Sequence, residues 1–128
     1  MIPRTDHPLS ILVVDDQPDA ADATAAMLKI MGHEARTAYS GPEALEIFRE
    51  MNPRVVLMDL SMPEMSGFEA AARIRLMPEG PSATIIALTA WCQDGHRRQS
   101  HEASIDYFVV KPAEPKTLQE VLSRVRVH

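Results

Sequence analysis

Four short apolar runs set the limits on how this chain can fold. Ile11-Leu12-Val13-Val14, Val55-Val56-Leu57-Met58, Ile85-Ile86-Ala87-Leu88 and Tyr107-Phe108-Val109-Val110 are spread along 128 residues, and most of their side chains are β-branched, leucine or aromatic. A strand with one wet face alternates apolar and polar side chains. An unbroken apolar run belongs instead to a strand covered on both faces, as in a parallel sheet. A fifth segment, Glu34-Ala35-Arg36-Thr37-Ala38, does alternate, which suits an edge strand.

Helical patterns separate these runs. Residues 19–31 are alanine-rich, with Gly32 placed to cap the helix end. Ser40 is a good N-cap, Pro42 and Glu43 suit a first turn, and Leu45, Phe48 and Met51 form a stripe. Residues 67–77 read as a third helix, stopped by Pro78, Gly80 and Pro81, and residues 94–103 as a polar fourth. After Pro115, Leu118, Val121, Leu122 and Val125 recur at i, i+3, i+4 and i+7, an amphipathic fifth. The β-α unit thus occurs five times, which predicts an α/β fold: a doubly wound five-stranded parallel sheet with five helices on its two faces.

The bulk numbers fit one such domain. A chain of 128 residues buries roughly two-thirds of its unfolded surface on folding, enough to dispense with a disulfide or structural metal. The single cysteine, Cys92, excludes an internal disulfide and a multi-cysteine zinc site, and it favours a reducing compartment. No apolar run reaches membrane-spanning length, so the expected location is cytoplasmic, with no membrane partner. Net charge is −5 and the densest basic cluster is only Arg97-Arg98, so direct nucleic-acid binding is not expected. Residues 1–8, polar and containing two prolines, are expected to form an N-terminal tail ahead of a domain spanning 9–128.

In an open α/β sheet, ligands bind beyond the carboxyl ends of the strands. After the first apolar run come Asp15 and Asp16, after the second Asp59, after the third Thr89 and after the last Lys111. Three carboxylates at one rim repel each other and call for a compensating cation. Oxygen donors with no histidine or cysteine among them suit Mg²⁺, which keeps several waters and takes a phosphate oxygen as partner. Mg²⁺, Lys111 and the Thr89 hydroxyl would then surround a phosphoryl group, with one carboxylate as nucleophile. Asp59 is the better candidate, because the adjacent pair Asp15-Asp16 is suited to holding the metal.

These residues sit in segments that resemble the receiver domain of two-component response regulators, of which the single-domain chemotaxis regulator is a familiar member. The segments are Ile11-Leu12-Val13-Val14-Asp15-Asp16, Val56-Leu57-Met58-Asp59-Leu60-Ser61-Met62-Pro63-Glu64-Met65-Ser66-Gly67, Ile86-Ala87-Leu88-Thr89-Ala90 and Val109-Val110-Lys111-Pro112. Singly each is a weak signal; in this order and spacing they are specific, and the similarity covers about residues 10–126.

The resemblance implies a flavodoxin-like strand order, 2-1-3-4-5. It implies that Asp59 is the phospho-acceptor, taking phosphate from a sensor histidine kinase or a histidine phosphotransfer protein. Asp16 and Asp59 would bind Mg²⁺ (or Mn²⁺ in its place) directly, joined by the backbone carbonyl of Ser61, with Asp15 acting through water. Thr89 and Lys111 would contact the phosphoryl oxygens, and the Lys111-Pro112 peptide would be cis. Phe108 would be the switching aromatic, and output would pass through the surface made by the 94–103 helix, the last strand and the last helix. The module would phosphorylate and slowly dephosphorylate itself, as a monomer or a phosphorylation-dependent dimer. It would be either a stand-alone regulator, which Met1 favours, or a receiver taken from a longer protein such as a hybrid histidine kinase.

The chain departs from the family pattern in places. Phe108 replaces the commoner tyrosine, while Tyr107 should face the other side of its strand. Ser104 stands in place of a usual glycine, and Ala113 in place of a large aromatic. Trp91, two after Thr89, either shields the phosphoryl site or covers surface. His96, His101 and Arg97-Arg98 read as a solvated face, Cys92 as non-catalytic, and Met58, Met62 and Met65 as packing and loop adaptors. A phosphatase of the haloacid dehalogenase type also uses a nucleophilic aspartate, but it carries a second aspartate two residues on, where this chain has Ser61. A receiver that binds partners without phosphorylation is the remaining alternative.

Overall fold

The unbroken apolar runs become strands with no wet face: residues 11–14 and 55–58 are all fully buried. The computed structural model describes residues 2–90 and 105–125. In chain order it comprises β1 (Ser10–Val14), α1 (Pro18–Ile30), β2 (Glu34–Ala38), α2 (Gly41–Met51), β3 (Val55–Asp59) and α3 (Gly67–Arg75). A 3₁₀ turn (Gly80–Ser82), β4 (Thr84–Thr89), β5 (Tyr107–Val110) and α4 (Pro115–Leu122) follow. The predicted 94–103 helix lies outside the described residues, as do Trp91, Cys92, His96, Arg97, Arg98, His101 and Ser104.

The five strands form one parallel sheet in the order β2-β1-β3-β4-β5. The alternation read in Glu34–Ala38 belongs to the edge strand β2, whose Ala35 and Ala38 are buried and whose Glu34 and Arg36 are exposed. Successive side chains of each inner strand enter opposite layers. Ile11, Val13, Leu57, Ile86 and Val109 pack with Ala21, Ala25 and Leu28 of α1 and with Leu118 and Leu122 of α4. Leu12, Val14, Val56, Met58 and Ile85 pack with Ala44 and Phe48 of α2 and with Ala70, Ala71 and Ile74 of α3. Crossovers on both faces are what a doubly wound sheet requires.

Helix ends follow local chemistry. The Ser40 side chain accepts a hydrogen bond from the Glu43 amide, capping α2, and Ser66 does the same for Glu69 in α3. Helix α1 begins at Pro18, whose ring presets the backbone of a first helical turn. Helix α3 ends at Arg75, two residues before the expected Met77. There the amides of Leu76 and Met77 turn to the carbonyls of Arg73 and Ile74, and the chain tightens towards Gly80. Ahead of β1, the Thr5 amide donates to the Met31 carbonyl at 2.8 Å and the Leu9 amide to His33 Nδ1 at 3.0 Å.

Candidate functional site

The sheet ladder places the polar residues that follow its strands. One residue past β1, the Asp15 amide donates to Ala38 at 3.1 Å; one past β3, Leu60 donates to Leu88 at 3.2 Å; one past β5, Lys111 donates to the Thr89 carbonyl at 2.7 Å. Asp59 stands opposite Leu88 in the register, and Thr89 opposite Val110. Asp15, Asp59, Thr89 and Lys111 are therefore held by backbone bonds at one end of the sheet, with little freedom in where their side chains begin.

The side chains converge. Asp15, Asp16 and Asp59 each offer a carboxylate oxygen to a group lying within 4.8 Å of one another. Lys111 Nζ sits 3.2 Å from Asp59 Oδ1 and 3.6 Å from Asp15 Oδ2. Asp15, Asp59 and Thr89 are buried, at 4%, 3% and 4% exposure, whereas Asp16 and Lys111 are half-buried. The Gln17 amide donates to Asp15 Oδ1 and the Ser61 amide to Asp59 Oδ1, the oxygen that also lies nearest Lys111.

Burial pushes the Asp59 carboxyl above the usual range, and the neighbouring Asp15 charge adds to this; the Ser61 amide and the Lys111 ammonium pull the other way. With all three acids ionised, three negative charges against one ammonium leave the cluster two short of neutrality among the described residues. That deficit, and a donor set made only of oxygens, fit a hard divalent cation.

The loop from Leu60 to Ser66 stays close to this cluster because of Gly67. A Cβ there would run into the Asp59 carbonyl and lie 2.8 Å from Leu60 Cα, so α3 starts directly against the peptide that leaves β3. The sequence carries the signal for this, a glycine at the first position of a helix with no left-handed turn to make, but only the close approach gives it meaning. On β5, Tyr107 packs against the α1/α4 layer and Phe108 is half-buried on the opposite side of the strand. The Lys111-Pro112 peptide is cis.

No described helix is long and apolar enough to cross a membrane. Residues 11–123 match the response regulator receiver domain family. A 14.6 kDa uncharacterised protein of Leptolyngbya boryana is 36% identical over 110 residues, covering 86% of this chain and 84% of that protein. The sensor histidine kinase AtsR of Burkholderia thailandensis is 35% identical over 125 residues, 95% of this chain but only 20% of the kinase. Among solved structures, the receiver domain of the Pseudomonas aeruginosa sensor histidine kinase PA1611, with a magnesium ion coordinated in its active-site cleft, superposes with a TM-score of 0.83. It is 29% identical and covers 93% of this chain and 98% of that domain. Strand order, an acid cluster at one sheet end and a family match across nearly the whole chain agree: this protein belongs to the response regulator receiver domains, the phosphorelay receivers of two-component signalling.

Proposed function

We propose that Asp59 is the phospho-acceptor of this receiver and that Mg²⁺ is held by Asp16, Asp59 and the Ser61 backbone carbonyl, with Asp15 acting through water. The observation that carries the reading is the Lys111 ammonium, which lies within 3.6 Å of both buried carboxylates of a three-acid cluster. An Asp59 carboxylate oxygen attacks the phosphorus of a phosphohistidine on a sensor kinase or histidine phosphotransfer protein. The P–O bond to Asp59 forms as the P–N bond breaks, and the leaving imidazole takes up a proton. Bound Mg²⁺ neutralises phosphoryl oxygen charge, which with positioning does most of the work in such transfers.

Lys111 then moves its ammonium from carboxylate to phosphoryl oxygen, and the Thr89 hydroxyl donates to another. Phe108, without a phenol hydroxyl, follows Thr89 by packing alone and alters the surface beside β5 and α4. The protein is a signalling module acting in the cytoplasm, whose only chemistry is its own phosphorylation and slow hydrolysis. Titration with beryllofluoride tests this. Mg²⁺-dependent binding should saturate in the parent protein and vanish in Asp59→Asn; equal binding by the variant would refute the assignment.

A further inference from the structure

We propose that Gly41, at the start of α2, is a positioning residue for the metal-binding loop, acting through Met65. The inference rests on the site assignment above, because its consequence is read at Ser61. Gly41 is buried and directly follows the Ser40 cap. Its backbone is in no region reserved for glycine, so conformation does not call for glycine here. What demands glycine is space: a Cβ at this position would lie 2.6 Å from Met65 Sδ and 2.8 Å from both Met65 Cβ and Cγ. Since Met65 Cβ is fixed to its own backbone, a rotamer change alone cannot relieve the overlap.

Met65 belongs to the loop that leaves the acceptor strand. Ser61, Pro63, Glu64 and Ser66 of that loop are exposed, while Met62 and Met65 pack into the α2/α3 layer. The loop is tied at its ends by the Leu60 amide on Leu88 and the Gly67 amide on Leu60, and inside by the Ser61 amide on Asp59 Oδ1 and the Met65 amide on Pro63, which leaves the Ser61 carbonyl to follow the peptide that leads on to the methionines. Glu64 takes a positive φ of 67°. Between the tied ends, its height over the acid cluster is set by how deeply the two methionines seat. Gly41 is the floor beneath Met65, so the first residue of α2 fixes where the Ser61 carbonyl stands relative to Asp59. Outer residues that orient metal ligands carry much of a site's affinity.

A double-mutant cycle on the full chain tests this, with Mg²⁺ affinity measured by calorimetry and the metal-free Ser61 amide resonance as a second readout. Gly41→Ala should weaken Mg²⁺ about tenfold or more and shift the Ser61 resonance before any metal is added. In Gly41→Ala/Met65→Gly the overlap is gone, so its affinity should match that of Met65→Gly alone; a product of the two single losses would overturn the proposal. Met65→Ala introduces no overlap and decides the matter if Gly41→Ala does not fold: it should keep the native fold and still lose affinity, and unchanged affinity would overturn the proposal. Asp59→Asn separates the two layers of inference. If it binds Mg²⁺ as the parent does, the site assignment fails and takes this proposal with it. If it loses binding while Gly41→Ala and Met65→Ala bind normally, only the role of Gly41 is wrong.

Discussion

The two ends of the sheet treat buried charge in opposite ways. At the amino end, Arg75 at the close of α3 donates to the carbonyls of Gly80 and Ala83, at 2.9 and 2.6 Å, and to Asp106 Oδ2 at 2.8 Å. Asp106 also accepts the Ile85 amide at 2.8 Å. Among the described residues the guanidinium meets a carboxylate, and backbone groups join the same network of hydrogen bonds. At the carboxyl end, among the described residues, three acids share a single ammonium, and Asp59 is held out of water beside a like charge. The first arrangement stabilises the fold; the second leaves attraction for a ligand unsatisfied. An ion pair by itself does not mark a site, and an unbalanced group of charges held in place by the backbone is the stronger sign.

The contrast can be broken in graded steps. Lys111→Ala removes the proposed phosphoryl partner at the unbalanced end, and should retain Mg²⁺ binding while abolishing the structural response to beryllofluoride, followed by amide shifts on β5; a full response would show that the ammonium is dispensable. Arg75→Ala attacks the balanced end. It should cost about 2–3 kcal/mol in urea unfolding, since two carbonyls and a carboxylate lose a charged donor. Phosphorylation of the folded variant should be unchanged, and a reduced rate would mean that the ends are coupled.

His33 offers a pH test at the amino end. Its Nδ1 accepts the Leu9 amide, its Nε2 is buried with no partner among the described residues, and burial lowers its pKa. The unfolded chain therefore takes up the proton first. Stability is fully present above the ordinary value of about 6.5 and is lost as pH falls below it, by at most about 1.4 kcal/mol per pH unit. His33→Asn, which keeps an acceptor for Leu9, should flatten the parent's decline between about pH 7 and 5; identical slopes would contradict the burial argument. The smallest effect is expected from Asp59→Ala without metal. Removing a crowded charge should leave stability level or slightly raised, and a loss above about 2 kcal/mol would contradict an electrostatically strained site.

Much of this was legible in the chain. Strands covered on both faces announce themselves as unbroken apolar runs, and the first polar residue after each run marks the rim, so Asp15, Asp59, Thr89 and Lys111 could be placed together from order alone. The parallel sheet needs no knowledge of side-chain packing to be anticipated. What could not be read were contacts across elements: Met65 on Gly41, Arg75 with Asp106, and Leu9 with His33 join residues 24 or more apart with no shared period. The amino-terminal segment shows why. Its prolines and polar residues have a tail's composition, and the bonds made by Thr5 and, at the start of the domain, by Leu9 run through main-chain amides, which carry no residue-type signature. Helix α3 ends two residues earlier than its composition predicts, because Leu76 and Met77 suit a helix while the fold needs a turn there.

The shared lysine has a consequence for reversibility. A signalling element must return to its idle state many times, and on the proposed site assignment each return would strip the pocket of phosphate and expose it to metal loss. Lys111 lies between Asp15 and Asp59, so the emptied pocket would keep a resident counterion, and bare mutual repulsion among the acids would not be the price of switching off.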